Sequence, residues 1–410
     1  MVARPERGET GRRSGPLAGV RVLDLTTVLL GPYATQILGD MGADVIKVEA
    51  PAGDPLRAVG PARHAGMGAV FLNANRNKRS LALDLKNPAA RRALLRVAES
   101  ADVFVHSMRP QAIARLGLAY EDVAAVNPRI VYCGAYGYSK DGPYGHLPAY
   151  DDMIQGASGL AALQGRPDGR PRYAATVIAD KTVGLSVVYA VAMALFHRER
   201  TGEGQAVEVP MFETMVSFLM VEHLYGLTFD PPEGGTGYQR ILSPDRRPYA
   251  TVDGYVCVLP YTDRQWASFF EIVGRPDLAR DDRFADLSGR TRNVDALYAA
   301  LAEILATRTT HEWLTAFEAA AIPAMKVNEP DDLPADPHLA ATGFFRTVEH
   351  PTEGRLRTAG IPVSMSATPG GIDRPAPRLG EHGREVLAEA GCGDDEIAAL
   401  AAAGVLVEPR

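Results

Sequence analysis

VRVLDLT (Val20–Thr26) and ADVIKVE (Ala43–Glu49) bracket a stretch that opens with Gly31-Pro32 and closes with Met41-Gly42, and this triplet decides the fold class. Both outer runs are short, apolar and rich in β-branched residues, as buried strands are. Pro in the first turn and Gly past the end mark the segment between them as a helix. Strand, helix and strand in that order make a βαβ unit, and the pattern repeats. RSLALDL (Arg79–Leu85) reads as a strand, and Asn87-Pro88 opens a helix through about Glu99. DVFVHS (Asp102–Ser107) and RIVYCGAYGY (Arg129–Tyr138) read as further strands. Strands alternating with helices imply an α/β fold around a parallel, doubly wound sheet.

The texture changes at Tyr150. Tyr150–Leu163 and Asp180–Arg200 read as helices, Thr201-Gly202-Glu203-Gly204 ends the second, and Ala206–Met211 is a strand. Another apolar helix runs to about Tyr225. The segment from Asp230 to Gly237, rich in Pro and Gly, marks a domain boundary or a functional loop. Residues from about 247 to 325 read as a smaller α/β unit, with a strand at YVCVLP and helices at Gln265–Val273 and Val294–Thr307. A loop at Asn328–Pro337 leads back to strands and a helical tail, Glu381–Gly404.

The chain has 410 residues, 46% hydrophobic and 23% charged, which is ordinary globular usage. At roughly 100–200 residues per domain this length predicts two or three domains. Residues 1–16, charged and glycine-rich without an apolar stretch, are expected to be a disordered tail rather than a secretory signal. The three cysteines, Cys133, Cys257 and Cys392, are far apart and form no CxxC pair. That argues against a disulfide framework and a zinc site, and fits a reducing, cytoplasmic setting. The apolar stretches are interrupted by polar residues short of transmembrane length, so no membrane span is expected. A formal net charge of -7 does not point to nucleic acid. An anionic ligand would have to be met by local basic clusters.

Familiar motifs are missing. Leu29-Leu30-Gly31-Pro32 follows the first strand where a dinucleotide fingerprint would read GxGxxG. There is no phosphate loop, no HExxH and no GxSxG elbow. The nine histidines show no ligand spacing, so neither a metal nor a permanently bound cofactor is expected. Basic residues do cluster near strand ends: Asn75-Arg76-Asn77-Lys78-Arg79 with Lys86, then Arg109 and Arg115. Ligands of open α/β sheets bind at the carboxyl ends of strands, where such cations hold phosphates; the competing reading is a set of solvated surface charges. Asp180, in VIADKTVGLS, stands where an apolar stretch becomes a long helix. There the helix dipole favours an ionised, nucleophilic carboxylate. The plainer reading is an N-cap.

Ten segments in order resemble the class III CoA-transferase family (CaiB/BaiF type), which includes formyl-CoA and carnitine CoA-transferases and is related to α-methylacyl-CoA racemase. They are VLDLTTVLLGPYATQILGDMGADVIKVE, GDPLR, NRNKRSLALDLK, MRPQAIARLGL, YDDMIQGASGL, ADKTVG, RERTGEGQAVEV, AIPAMKV, DPHL and PRLGEHGREVL. The resemblance implies a Rossmann-like large domain at 17–220, a linker and small domain at 221–334, and a return to the large domain at 335–410. It also implies two chains interlocked as a homodimer, with acyl-CoA and a carboxylic acid as substrates. Asp180 matches the catalytic aspartate. Val28 and Leu29 match positions whose backbone meets the adenine. Leu83 and Lys86 lie in the LDLK stretch that contacts CoA. Ser107, Met108 and Arg109 match an Asn-Phe-Arg contact, with Ser and Met as departures, and Arg115 matches a phosphate-binding arginine. Pro148, Ala149, Tyr150 and Asp151 match a loop lining the pantetheine. Gly234–Gln239 resembles the family's glycine loop.

The resemblance implies covalent catalysis: Asp180 would attack a thioester and carry CoA as an aspartyl thioester. Three rivals share the fold, one of them a thioester hydrolase that would look nearly identical in sequence. A racemase would need an acid–base pair, but Tyr150 stands at the position of its histidine, and a phenol is a poor base at neutral pH; His146 lies four residues earlier. The remaining rival is a CoA-binding protein without catalysis.

Overall fold

In a computed structural model, residues 14–166 and 169–409 are described; most of the expected N-terminal tail lies outside them. The chain divides into two compact units. The first comprises Met1–Ser158, Ala174–Phe218 and Ala340–Arg410; the second comprises Gly159–Tyr173 and Leu219–Leu339.

The first unit is built on β1 (Arg21–Leu25), β2 (Asp44–Glu49), β3 (Lys78–Leu83), β4 (Val103–His106), β5 (Val131–Gly134) and β6 (Gln205–Glu208). They pair in parallel in the order β3-β2-β1-β4-β5-β6, and Leu406–Val407 adds an antiparallel strand beside β3. The order reverses between β1 and β4, the crevice where open α/β sheets bind ligands. The helices of this unit begin with α1 (Leu30–Asp40), α2 (Ala69–Ala74), α3 (Pro88–Glu99), α4 (Pro110–Arg115) and α5 (Tyr120–Val126). Next come α6 (Asp151–Ala157), then α7 (Leu160–Gln164), which falls in the second unit, then α8 (Ile178–Thr201) and α9 (Met211–His223), whose residues from Leu219 on belong to the second unit.

Alternation along the strands divides the core. Leu23, Ile46, Leu81, Phe104 and Tyr132 face α3, α5 and the C-terminal helices Gly383–Glu389 and Asp394–Ala402. The opposite face meets α1 and α8. Those two helices approach closely because Gly184 has no side chain: a Cβ there would lie 2.8 Å from the Leu30 carbonyl oxygen.

Several expectations are corrected. The single helix expected over Tyr150–Leu163 is two, because Gly159 takes φ 91° between α6 and α7. The C-terminal tail is two helices and a strand rather than one helical run. α8 is, by length and composition, long and apolar enough to cross a membrane, contrary to the expectation from sequence; half of that stretch is buried inside the protein. The Asn75–Arg79 cluster is neither solvated nor open to a phosphate. Arg76 pairs with Asp40 at 2.7 Å, Lys78 with Asp24 at 3.0 Å and Arg79 with Asp44 at 2.6 Å, all three cations being buried.

The second unit holds a three-stranded antiparallel sheet, Tyr249–Ala250, Tyr255–Val258 and Ala324–Lys326. Helices at Asp263–Ile272, Val294–Leu305 and Thr310–Ala319 cover it around Trp266, Phe269, Trp313 and Phe317.

Under the end of β1, Lys47 Nζ bonds Asp54 Oδ2 at 2.8 Å and the Thr26 carbonyl at 3.1 Å, with both side chains of the ion pair sealed from solvent. Removing one partner of such a pair leaves a buried charge uncompensated. Asp54→Ala is therefore expected to lower the unfolding free energy by about 3–5 kcal/mol, read as a fall in the urea midpoint. Adding Lys47→Met should recover part of the loss. A change under about 1 kcal/mol, the size of a surface pair, would count against this role.

Candidate active site

β1 ends at Leu25 and the chain turns through Thr26, Thr27 and Val28 before α1 begins. Val28 has φ 66°, a left-handed conformation that is uncommon for a β-branched residue and costs about 1–3 kcal/mol. Its neighbours hold it there. The Val28 N–H donates to Asp54 Oδ1 at 3.3 Å, and Thr26 donates both its N–H and its hydroxyl to Asp24. Burial alone would raise the Asp24 carboxyl, but Lys78 and Lys47, helped by the Thr26 and Thr35 hydroxyls, hold it down at about 2. The GDPLR segment thus acts as a brace: Asp54 also caps the turn at Pro55–Ala58, and Arg57 forms a two-bonded pair with Glu49 at 2.7 Å.

Across the switch point, the Thr27 N–H donates to Ser107 Oγ at 3.2 Å, so the loops after β1 and β4 are tied together. Val28, Leu29, Ser107, Met108 and Arg109 therefore lie around one crevice. Met108 packs against the core below α3. Arg109, exposed at the start of α4, donates to the His146 carbonyl at 3.0 Å and so steadies the segment leading to Pro148, Ala149 and Tyr150. Arg115 ends α4 and is exposed. Lys86 is exposed beyond β3, whereas the Leu83 side chain is fully buried and offers a ligand only its backbone. Tyr150 precedes α6 and is 64% exposed.

Asp180 lies in the first turn of α8 and is 8% exposed. It caps nothing. The N-cap position is Val177, no side chain caps the helix from there, and among the described residues no hydrogen bond reaches the Asp180 carboxyl. Its own backbone N–H, one of the orphan donors of a helix start, donates to Asp151 Oδ1 at 2.9 Å. The capping carboxylate is therefore Asp151, brought in by α6. Gln155, one turn further along α6, donates to Asp151 Oδ2 at 2.5 Å and accepts the Ala174 N–H at 2.9 Å. Burial pushes the Asp180 carboxyl up, and the Asp151 carboxylate adds to it, from the ordinary 3.8 to about 7. The helix dipole was expected to favour the ionised form; desolvation and a like charge outweigh it. Because Gly184 sits one turn past Asp180 against the Leu30 carbonyl, the start of α8 and the β1–α1 loop adjoin.

Three parts of this arrangement escape a motif search. Gln155 is signalled only by its i, i+4 spacing from Asp151, and Lys47 and Asp54 only by charges set among apolar strand residues. The glycine loop Gly234–Gln239 belongs to the second unit. There the Gly226 N–H bonds the Gly235 carbonyl at 3.1 Å, the Gly237 N–H bonds the His223 carbonyl at 2.9 Å, and Tyr225 stacks on Tyr238.

The sequence model of CoA-transferase family III matches residues 17–383. A succinate–glutarate CoA-transferase of Agrobacterium fabrum is 35% identical over 391 residues, covering 92% of this chain and 96% of its own. An acetyl-CoA:oxalate CoA-transferase of Acetobacter aceti is 33% identical, covering 92% and 96%. The crystal structure of a CaiB/BaiF family protein from Brucella suis superposes with a TM-score of 0.78 at 32% identity, covering 92% of this chain and all of the other.

The raised Asp180 carboxyl carries a stability consequence. Below about pH 4 it is neutral in both folded and unfolded chains and costs nothing. As pH rises toward 7 the unfolded chain releases this proton first, so folding stability falls, by up to about 4 kcal/mol once both states are ionised. Asp180→Asn cannot ionise. It is expected to unfold at higher urea than wild type at pH 8, with the gap closing below about pH 4. Equal midpoints at pH 8 would contradict the assigned burial.

Proposed function

The chain belongs to CoA-transferase family III and is a transferase; on that premise we propose that it moves CoA from an acyl-CoA thioester to a free carboxylic acid through a covalent intermediate on Asp180. The observation that carries this reading is a buried carboxyl that caps no helix and, among the described residues, accepts no hydrogen bond, with its backbone held by another carboxylate. A structural aspartate would be using its oxygens.

The chemistry follows in balanced steps. The ionised Asp180 attacks the thioester carbonyl; its C–O bond forms as the C–S bond breaks, leaving a mixed anhydride and a CoA thiolate. The thiolate attacks the aspartyl carbon of the anhydride, the donor acid departs as a carboxylate, and an aspartyl-CoA thioester remains. The acceptor carboxylate reverses both steps and leaves as the new thioester, with Asp180 regenerated. Dispersing each oxyanion needs N–H donors. CoA is assigned to the crevice at β1 and β4, its adenine by Val28 and Leu29 and its phosphates by Arg109, Arg115 and Lys86. Pro148–Asp151 is assigned to the pantetheine. Relatives named for succinate, glutarate and oxalate support short dicarboxylic acids as the acyl groups. Three free cysteines support a cytoplasmic setting.

The protein is further proposed to be a homodimer of interlocked chains. Supporting it, Leu185, Tyr189, Met193 and Phe196 form an i, i+4, i+8, i+11 stripe along α8, each more than half exposed. So continuous an apolar face marks an interaction surface. Sedimentation is expected to show a dimer down to nanomolar concentration; an active monomer there would rule it out.

Asp180→Asn tests the nucleophile. The folded variant should lose transferase activity with a panel of dicarboxylates and their CoA esters. Wild type given acyl-CoA without acceptor should gain the mass of CoA on a peptide containing Asp180, trapped by hydroxylamine, and the variant should not. Full transfer by a homogeneous Asp180→Asn preparation would overturn the reading.

A further inference from the structure

Gln155 is 1% exposed, and both ends of its amide are committed. Nε2 donates to Asp151 Oδ2 and Oε1 accepts the Ala174 N–H. Asp151, 6% exposed, spends its other oxygen on the Asp180 N–H. A continuous hydrogen-bonded path therefore runs from the backbone before α8, through α6, and back to the first turn of α8.

From this geometry we propose that Gln155 is a positioning residue, which by clamping Asp151 fixes the backbone of Asp180 and so the direction in which its carboxyl meets the thioester. The inference rests on the reading of Asp180 as the nucleophile. Gln155 touches neither substrate nor reacting atoms. Its leverage is geometric, since a displacement of about 1 Å in a reacting group can cost about a hundredfold in rate. Without the amide, Asp151 would keep one buried oxygen unpaired and would turn away.

The other ionisable groups around α8 are otherwise engaged. On α1, Asp40 pairs with Arg76, and Tyr33 lies against Gly184. On α6, Asp152 is exposed. On β5, the Tyr132 hydroxyl donates to the Leu118 carbonyl, and Cys133 is buried. On β6, Glu208 accepts from Tyr136. On α8 itself, Lys181 donates to the Thr176 hydroxyl. Asp151 is the charge that acts on Asp180.

Gln155→Met keeps an unbranched, helix-forming side chain of similar volume and removes both hydrogen bonds. Two measurements on the folded variant decide the proposal. The first is the pH at which the stability gap between Asp180→Asn and its parent stops growing, compared in wild-type and Gln155→Met backgrounds; it reads the folded-state Asp180 titration without any turnover. It is expected to move to lower pH by at least about half a unit, because an Asp151 no longer held by the amide turns away and repels Asp180 less. The second is turnover: kcat should fall at least about tenfold, with KM for acyl-CoA within about threefold. A merely structural role would lower the folded fraction and move neither. An unmoved titration, or full kcat beside a moved one, overturns the proposal. Should wild type transfer no CoA, the reading of the reaction fails while the titration still decides whether Gln155 governs Asp180. If Gln155→Met does not fold, Gln155→Asn, which withdraws the amide by one methylene, carries the same decision.

Discussion

The pair of Lys47 and Asp54, 2.8 Å apart and closed to solvent, is the contact on which the ligand-facing edge of the sheet depends. Burying two charges is favourable only when their remaining hydrogen bonds are also met, and here they are. Lys47 reaches the Thr26 carbonyl, and Asp54 takes N–H groups from Val28 and Leu56. One interaction therefore joins the middle of β2, the turn after it and the end of β1. It also accounts for Val28: a β-branched residue persists at positive φ only where its surroundings over-determine it. The ion pair is the means by which a strained loop is held open at the switch point.

Asp24 and Asp180 show what decides the fate of a buried carboxyl. Both are removed from water. Asp24 faces two lysines and two threonine hydroxyls and is held at about 2. Asp180 faces a carboxylate, receives no hydrogen bond among the described residues and rises to about 7. The first arrangement is one a fold keeps for stability. The second costs stability near neutral pH, and such expense concentrates at functional sites. It also separates Asp180 from a helix cap more sharply than its position could, because the cap is supplied by Asp151.

What the sequence made legible follows from periodicity. VRVLDLT, ADVIKVE and the later runs are apolar on both faces, so strands of a parallel sheet were readable, as was the helix carrying Asp180. Four elements resisted for physical reasons. Gly159 breaks a helix through a backbone conformation that its neighbours do not announce. Leu406–Val407 is too short to show alternation and becomes a strand only by pairing with β3. Arg76, Lys78 and Arg79 look like surface charge because their partners, Asp40, Asp24 and Asp44, are distant in sequence. The clamp through Gln155 needs a bond to Ala174, nineteen residues away, which spacing along α6 does not reveal.

α8 joins these arguments. Its composition would suit a bilayer, yet both ends are fastened by charge within the first unit. Near its start, Asp180 rests its N–H on Asp151; near its end, Arg198 reaches Asp102 at 3.1 Å, both side chains buried. Between them Gly184 admits α1 to van der Waals range. A helix pinned in this way presents its inner face to the sheet and cannot turn its apolar outer stripe inward. The stripe therefore stays on the outer face of the unit. In the proposed dimer a second chain would cover it along the same helix that carries Asp180, so the positions of Asp180 and of the subunit contact would be fixed by one rigid element.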